Sequence, residues 1–167
     1  MTDVTIRPYR AADLEACRAL WTELAQRHRD LYGDPSIGGE APGLEFNRHL
    51  ARVGPERIWV AVGDSKVVGV FALIPDGEEA EIDPVVVAST HQGHGIGRTL
   101  LNRAVREARA LRVRYLDVRP VARSLAAIRL SHRSGFRRLG RVEVFMELQP
   151  SAAHAWKRGP ELFLPVL

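Results

Sequence analysis

Apolar and polar positions follow two periods along the chain, and the switches between them outline its elements. Val4, Ile6 and Pro8 read as a short strand at a period of two. From Asp13 the period lengthens, and Leu14, Cys17, Leu20, Trp21, Leu24 and His28 fall on one stripe of a helix. Glu15, Arg18, Glu23 and Arg27 occupy its other faces. Residues 33–43 hold four glycines and two prolines and predict an exposed loop, followed by a shorter helix near 44–53. Residues 58–62 and 67–73 read as strands around Gly63-Asp64-Ser65-Lys66, a hairpin signal. Pro75-Asp76-Gly77 marks a second turn and residues 80–87 a third strand. Ile96, Leu100, Leu101, Ala104, Val105, Ala108 and Leu111 then form the stripe of a strong helix, with Arg98, Arg103, Arg106 and Arg109 largely off it. A strand over 115–118, a helix over 124–134 stopped at Gly135, and a last strand over 142–148 complete the pattern.

An antiparallel start followed by a strand–helix–strand unit predicts an α/β (α+β) domain with helices flanking a central sheet. The 167 residues are enough for one such domain, expected over 1–150. In the tail over 151–167, Trp156, Leu162, Phe163, Leu164, Val166 and Leu167 are apolar enough to need burial. They are expected to cover their own domain or, in a homodimer, a neighbouring subunit.

Composition narrows the classes. A hydrophobic fraction of 46% argues against disorder, and no apolar run approaches the roughly 20 residues that span a bilayer. Met1-Thr2-Asp3-Val4-Thr5 lacks a basic region leading into an apolar stretch, and Cys17 alone allows no internal disulfide. A soluble, cytoplasmic chain without a membrane partner is expected. All but Lys66 and Lys157 of the 24 basic residues are arginine, the net charge is +4 and the pI is about 9.8. Such a surface could attract an anionic cofactor or simply be solvated. No basic block interleaved with stacking aromatics supports a nucleic-acid groove.

The densest chemical signal lies after the third strand. Val85-Val86-Val87 is followed by five small or polar residues and then by Gly93-His94-Gly95-Ile96-Gly97, which opens a helix. Orphan N–H groups and the helix dipole make such a start a place for an anion. A Walker loop would need Lys and Ser/Thr after its last glycine, but Gly97 is followed by Arg98. A dinucleotide fingerprint would need a different spacing directly after the first strand. A glycine-rich turn that merely starts a helix is the remaining alternative.

Written as Gln92-x-x-Gly95-x-Gly97, the loop resembles the acyl-CoA pyrophosphate loop of the GNAT family of N-acetyltransferases. Ala80-Glu81-Ile82 and Ser89-Thr90 resemble its histone-acetyltransferase branch. Ala127-Ile128-Arg129-Leu130 and Gly135-Phe136 are similar to the family's second motif, and together these motifs run from about Ala80 to Phe136. The resemblance implies a mostly antiparallel sheet splayed into a V, with acetyl-CoA in the cleft and an amine acceptor, small molecule or protein. It implies that backbone amides of Gln92, Gly93, His94, Gly95, Ile96, Gly97, Arg98 and Thr99 hold the pyrophosphate. Val85, Val86 and Val87 would bind the pantetheine, with the Val87 N–H on the thioester carbonyl.

In the same resemblance Glu81 stands at the general-base position. Burial near valines would raise its pKa and improve it as a base. Asp83 is its rival, since positions 81 and 83 share a face of an unbroken strand, although a bulge near Pro84 could change that phase. The alternative is that Glu81 sits at the cleft rim and pairs with an arginine. Ser131 occupies the place of the family's usual tyrosine acid, and Ser124 that of a frequent asparagine, which leaves the acid open to serine or water. A non-catalytic acyl-CoA-binding or sensor module is therefore the alternative function. His91 and His94 lack a metal-ligand set around them and no metal is expected. Cys17 lies on an apolar stripe where a thiol is inert. The resemblance also implies that acceptor choice comes from about Gln26 to Phe46 and from the last strands, with His28, Tyr32, Asp34, Glu40 and Glu45 as polar candidates in the first of these.

Overall fold

A computed structural model describes residues 4–140 together with Glu143 and Leu148. Its elements are β1 (Val4–Pro8), α1 (Leu14–Tyr32), α2 (Glu45–Val53), β2 (Ile58–Gly63), β3 (Lys66–Asp76), β4 (Glu79–Val87), α3 (Ile96–Ala110), β5 (Tyr115–Val118) and α4 (Leu125–Arg133). The strands form one sheet in the order β1-β2-β3-β4-β5, antiparallel up to β4 and parallel between β4 and β5. The mixed sheet flanked by helices agrees with the expected fold class. The last strand expected over 142–148, apart from Glu143 and Leu148, and the tail over 151–167 lie outside the described residues.

Two boundaries differ from the expectation. The turn foreseen at 75–77 falls later, because β3 continues through Pro75 and Asp76, which pair with Ala80 and Glu79. Gly77, at φ +59°, makes the turn instead, and Pro75 sits near a strand end where a missing N–H is tolerated. Leu111 follows the last turn of α3 and is half exposed rather than part of its buried stripe. Asp64 and Ser65 close the β2–β3 hairpin with both residues at positive φ, the geometry a two-residue turn needs to match strand twist.

The sheet has a core on each face. On one, α3 places Ile96, Leu100, Leu101 and Ala104 against Trp59, Phe71, Leu73 and Ile82. On the other, Cys17 and Leu20 of α1 and Phe46 and Val53 of α2 meet Ile58, Val60, Val70 and Val86. Burying side chains of this size contributes about 1.5–3 kcal/mol each, so two full faces fix the sheet between its helices. Burial also pushes the Cys17 thiol up to about 12, which keeps it an unreactive core residue.

The entry to α1 is held by charge. Arg7 on β1 makes a two-pronged ion pair with Asp13, both bonds 2.7 Å, and Asp13 also accepts from the Arg10 N–H at 2.8 Å. The Arg7 hydrogen bond holds the Asp13 carboxyl below the usual carboxylate range, despite its burial. A depressed carboxylate contributes stability above the unfolded pKa, and that contribution is lost as pH falls through the folded one. Asp13→Ala should therefore lower the unfolding free energy by roughly 3 kcal/mol at neutral pH, read by denaturant titration. The difference from the unsubstituted chain should shrink as pH drops below about 4, the unfolded carboxylate range. An unchanged difference at low pH would show that the charge is not the cause.

Candidate active site

The site begins where β4 gains a residue. Phe71 pairs with Val85 but Leu73 pairs with Ile82, so Asp83 and Pro84 together oppose Ala72. This bulge changes which side chains face α3: Ala80 and Ile82 before it, Val85 and Val87 after it. The parallel pairing with β5 ends at the same place, running only from Glu79↔Tyr115 to Ile82↔Val118. Beyond Ile82 the two strands are no longer hydrogen-bonded partners.

That parting leaves backbone groups available. The Ala88 N–H donates to the Val68 carbonyl at 2.9 Å, and bonded residues alternate along an antiparallel ladder. Val86 therefore bonds toward β3, while Val85 and Val87 turn their N–H and C=O groups to the edge β5 has left. The Val87 carbonyl receives Gln92 Nε2 at 3.0 Å and Arg27 Nη2 at 3.3 Å.

The glycine loop follows directly. Gly93 and Gly95 have φ of +81° and +83° and open space where a Cβ would stand, so backbone conformation is what requires glycine there. At Gly97 the backbone makes no such demand, and a Cβ would lie 2.9 Å from the mobile end of Leu130, where α4 approaches α3. The N–H groups of Gly93, His94, Gly95, Ile96, Gly97 and Arg98 have no acceptor among the described residues. This run is shorter than the expected one. The Gln92 N–H is turned to the Ser89 carbonyl, and the Thr99 N–H and hydroxyl both bond the Gly95 carbonyl. Gln92 and Thr99 thus shape the loop with the donors expected to bind.

Glu81 and Asp83 share the face of β4 opposite α3, as an unbroken strand up to the bulge requires. Arg119, just past β5, pairs with Glu81 at 2.9 Å and with Asp117 at 2.9 Å. The arginine partner of the rim alternative is thus present. Burial raises the Glu81 pKa, and the Arg119 charge opposes the rise without cancelling it. Ser131, at the position expected for the acid, is buried, and its hydroxyl donates to the Ala127 carbonyl at 2.9 Å. The proton an acid would give is committed to its own helix.

Other residues join the site without a motif to mark them. Glu23 and Arg27, four apart on α1, reach the Ser89 N–H at 2.7 Å and the Val87 carbonyl. A cleft of about 350 Å³ beside Asp83 and Pro84 is lined by Trp21 and Leu24 of α1 and by Glu45, Arg48, His49 and Arg52 of α2. Of the expected acceptor-side residues, only Glu45 lines it. Asp34 is buried and accepts from the Ser36 N–H and hydroxyl, a local turn, and Tyr32 stacks under Arg123. Their i, i+3 spacing on α2 is the one sequence signal that could have paired His49 with Arg52, and only the fold brings them to Asp83.

The family model described as "Acetyltransferase (GNAT) family" matches residues 17–136. Among solved structures, a ribosomal-protein-alanine N-acetyltransferase from Brucella melitensis is 30% identical, with a TM-score of 0.63, covering 78% of this chain and 83% of that one. An IAA acetyltransferase from Bacillus cereus is 26% identical at a TM-score of 0.58, covering 80% of this chain and 76% of that one. A diaminobutyrate acetyltransferase from Paenibacillus lautus, solved with its substrate and coenzyme A, is 20% identical at 0.61 and shares the fold, covering 80% and 75%.

The loop geometry is open to test through its backbone. Gly95→Ala should cost about 1 kcal/mol, because an L side chain at this φ is strained although nothing crowds it. A melting temperature equal to that of the unsubstituted chain would show that position 95 tolerates a side chain.

Proposed function

This chain belongs to the GNAT acetyltransferase family, and on that premise we propose that it moves an acetyl group from acetyl-CoA to a primary amine by direct transfer. The observation that carries the reading is the parting of β4 from β5 beside a helix start whose six N–H donors have no acceptor among the described residues. Acetyl-CoA supplies the acetyl thioester. Gly93 to Arg98 direct backbone N–H groups to its pyrophosphate, and Arg98 adds positive charge at the same helix end. The edges of Val85 and Val87 receive the pantetheine, and the Val87 N–H donates to the thioester oxygen as negative charge develops there.

Glu81 takes the proton of the incoming ammonium, directly or through water, so that the amine nitrogen can attack the carbonyl carbon. Its pairing with Arg119 keeps it ionised, and its burial keeps it basic. The C–N bond forms, the C–S bond breaks, and the CoA thiolate leaves to be protonated by water. Ser131 has no part in this, its hydroxyl being engaged with Ala127.

Calorimetric titration should show binding of acetyl-CoA and of free CoA but not of NAD. Glu81→Gln should retain that binding and lower kcat by about 100-fold or more. The acidic limb of kcat/KM should lie above the ordinary carboxylate range, since the base must be ionised and burial raises its pKa. Arg119→Gln should move the limb higher still by removing the opposing charge. Full activity in Glu81→Gln would remove it from the reaction. Binding without turnover on any amine would favour the acyl-CoA-binding module, the reading that the engaged Ser131 hydroxyl supports.

A further inference from the structure

The cleft between α2 and the β4 bulge carries both signs of charge, and each sign comes from a different wall. Strand β4 supplies Asp83, with Glu81 two residues earlier on the same face. Helix α2 supplies Arg48 and Arg52, and Glu45 pairs with Arg48 at 2.9 Å. One guanidinium nitrogen joins the walls: Arg52 Nη2 donates to Asp83 Oδ2 at 3.1 Å and lies 3.3 Å from His49 Nδ1. An arginine cannot accept a hydrogen bond, so His49 Nδ1 is the acceptor and the ring proton sits on Nε2. Burial holds the His49 pKa below its ordinary value, which favours this neutral form. His49 is 92% buried, and its Nε2 finds no partner among the described residues. That nitrogen is closed off from the surface, so the part His49 plays in the cleft is to hold Arg52. Trp21, Leu24 and Pro84 complete the lining with apolar surface.

We propose that this cleft is the acceptor site and takes a small zwitterion, a free amine that carries its own carboxylate. The inference rests on the acetyl-transfer reading above. The acceptor's ammonium is drawn to Asp83 and Glu81 on β4, on the strand that leads to Val85 and Val87. Its carboxylate is drawn to Arg48 and Arg52 on α2, each of which uses a single guanidinium nitrogen in its contacts among the described residues. The apolar side takes the body of the molecule. At about 350 Å³ the space suits an amino acid. A protein N-terminus would bring the ammonium without the carboxylate that the α2 wall is built to meet.

The test compares acids with their carboxamides on the full chain: glycine, L-leucine, L-phenylalanine, L-glutamate and L-lysine, each against its amide, and a short peptide. CoA release from acetyl-CoA is one readout, and calorimetric binding to the CoA-saturated chain is the other. At least one acid should exceed its carboxamide by about tenfold or more in kcat/KM or affinity, the size of a lost charge-assisted hydrogen bond. The double substitution Arg48→Gln with Arg52→Gln, both on exposed side chains, should bring that ratio close to one. Carboxamides or the peptide matching or outperforming every acid would overturn the inference while leaving acetyl transfer standing. Absence of CoA release from every amine would count against the transfer reading, and the binding ratio would still decide the nature of the cleft.

Discussion

The extra residue in β4 is the constraint from which the site is built. A strand paired on both sides exhausts its backbone groups in the ladder and offers none to a ligand. At Asp83–Pro84 the register shifts, pairing with β5 ends, and the side chains change face. Three consequences follow from one irregularity. Glu81 and Asp83 stay on the face of α1 and α2, Val85 and Val87 send their side chains into the α3 core, and the backbone edge of those valines is released. Proline suits this position, since it has no N–H to leave unpaired where the ladder fails.

An opened edge is useful only if it is held rigid, and α1 supplies that support. Glu23 and Arg27 lie one turn apart and grip the backbone on either side of Ala88, one by an N–H and the other by a carbonyl. Gln92 folds back onto the same Val87 carbonyl, so the loop is tied to the strand that precedes it. On the far side, the absence of a side chain at Gly97 lets α4 approach α3 through Leu130. The donors from Gly93 to Arg98 are thus fixed between two helices before any anion arrives. Donors fixed in advance lose little freedom on meeting an anion, an advantage of backbone over a long side chain.

Much of this was legible along the chain. Stripes, alternation and turn signals together located the described strands and α-helices, because each of these elements buries one face against a common sheet. The glycine loop and Glu81 stood out because their neighbours matched a family pattern. What stayed hidden was contact between residues distant in sequence. Nothing local tells that Arg119 reaches Glu81, that Arg52 reaches Asp83, or that Arg27 reaches Val87. In a chain whose basic residues are nearly all arginine, composition could not single out these three. Gly97 shows the converse limit: the motif marks it, yet what a Cβ would meet there is a leucine on another helix. The turn after β3 falls later than the Pro-Asp-Gly signal suggests, because Pro75 near the strand end still pairs with Ala80.

The engaged hydroxyl of Ser131 bears on how the proposed reaction divides its labour. An alkylammonium of lysine type loses its proton near pH 10.4, so at neutral pH attack requires a group to receive that proton. A thiol of cysteine type ionises near pH 8.5, so the departing thiolate is an anion that water can protonate without great cost. The base side of the reaction is therefore the demanding one, and it is there that the fold concentrates its groups. Glu81 is raised by burial and steadied by Arg119, and Asp83 stands two residues away with its own arginine. On the acid side water is enough for the proposed reaction, and Ser131 stays bonded to its own helix. The asymmetry in the structure follows the asymmetry in the chemistry, which makes an engaged Ser131 compatible with catalysis.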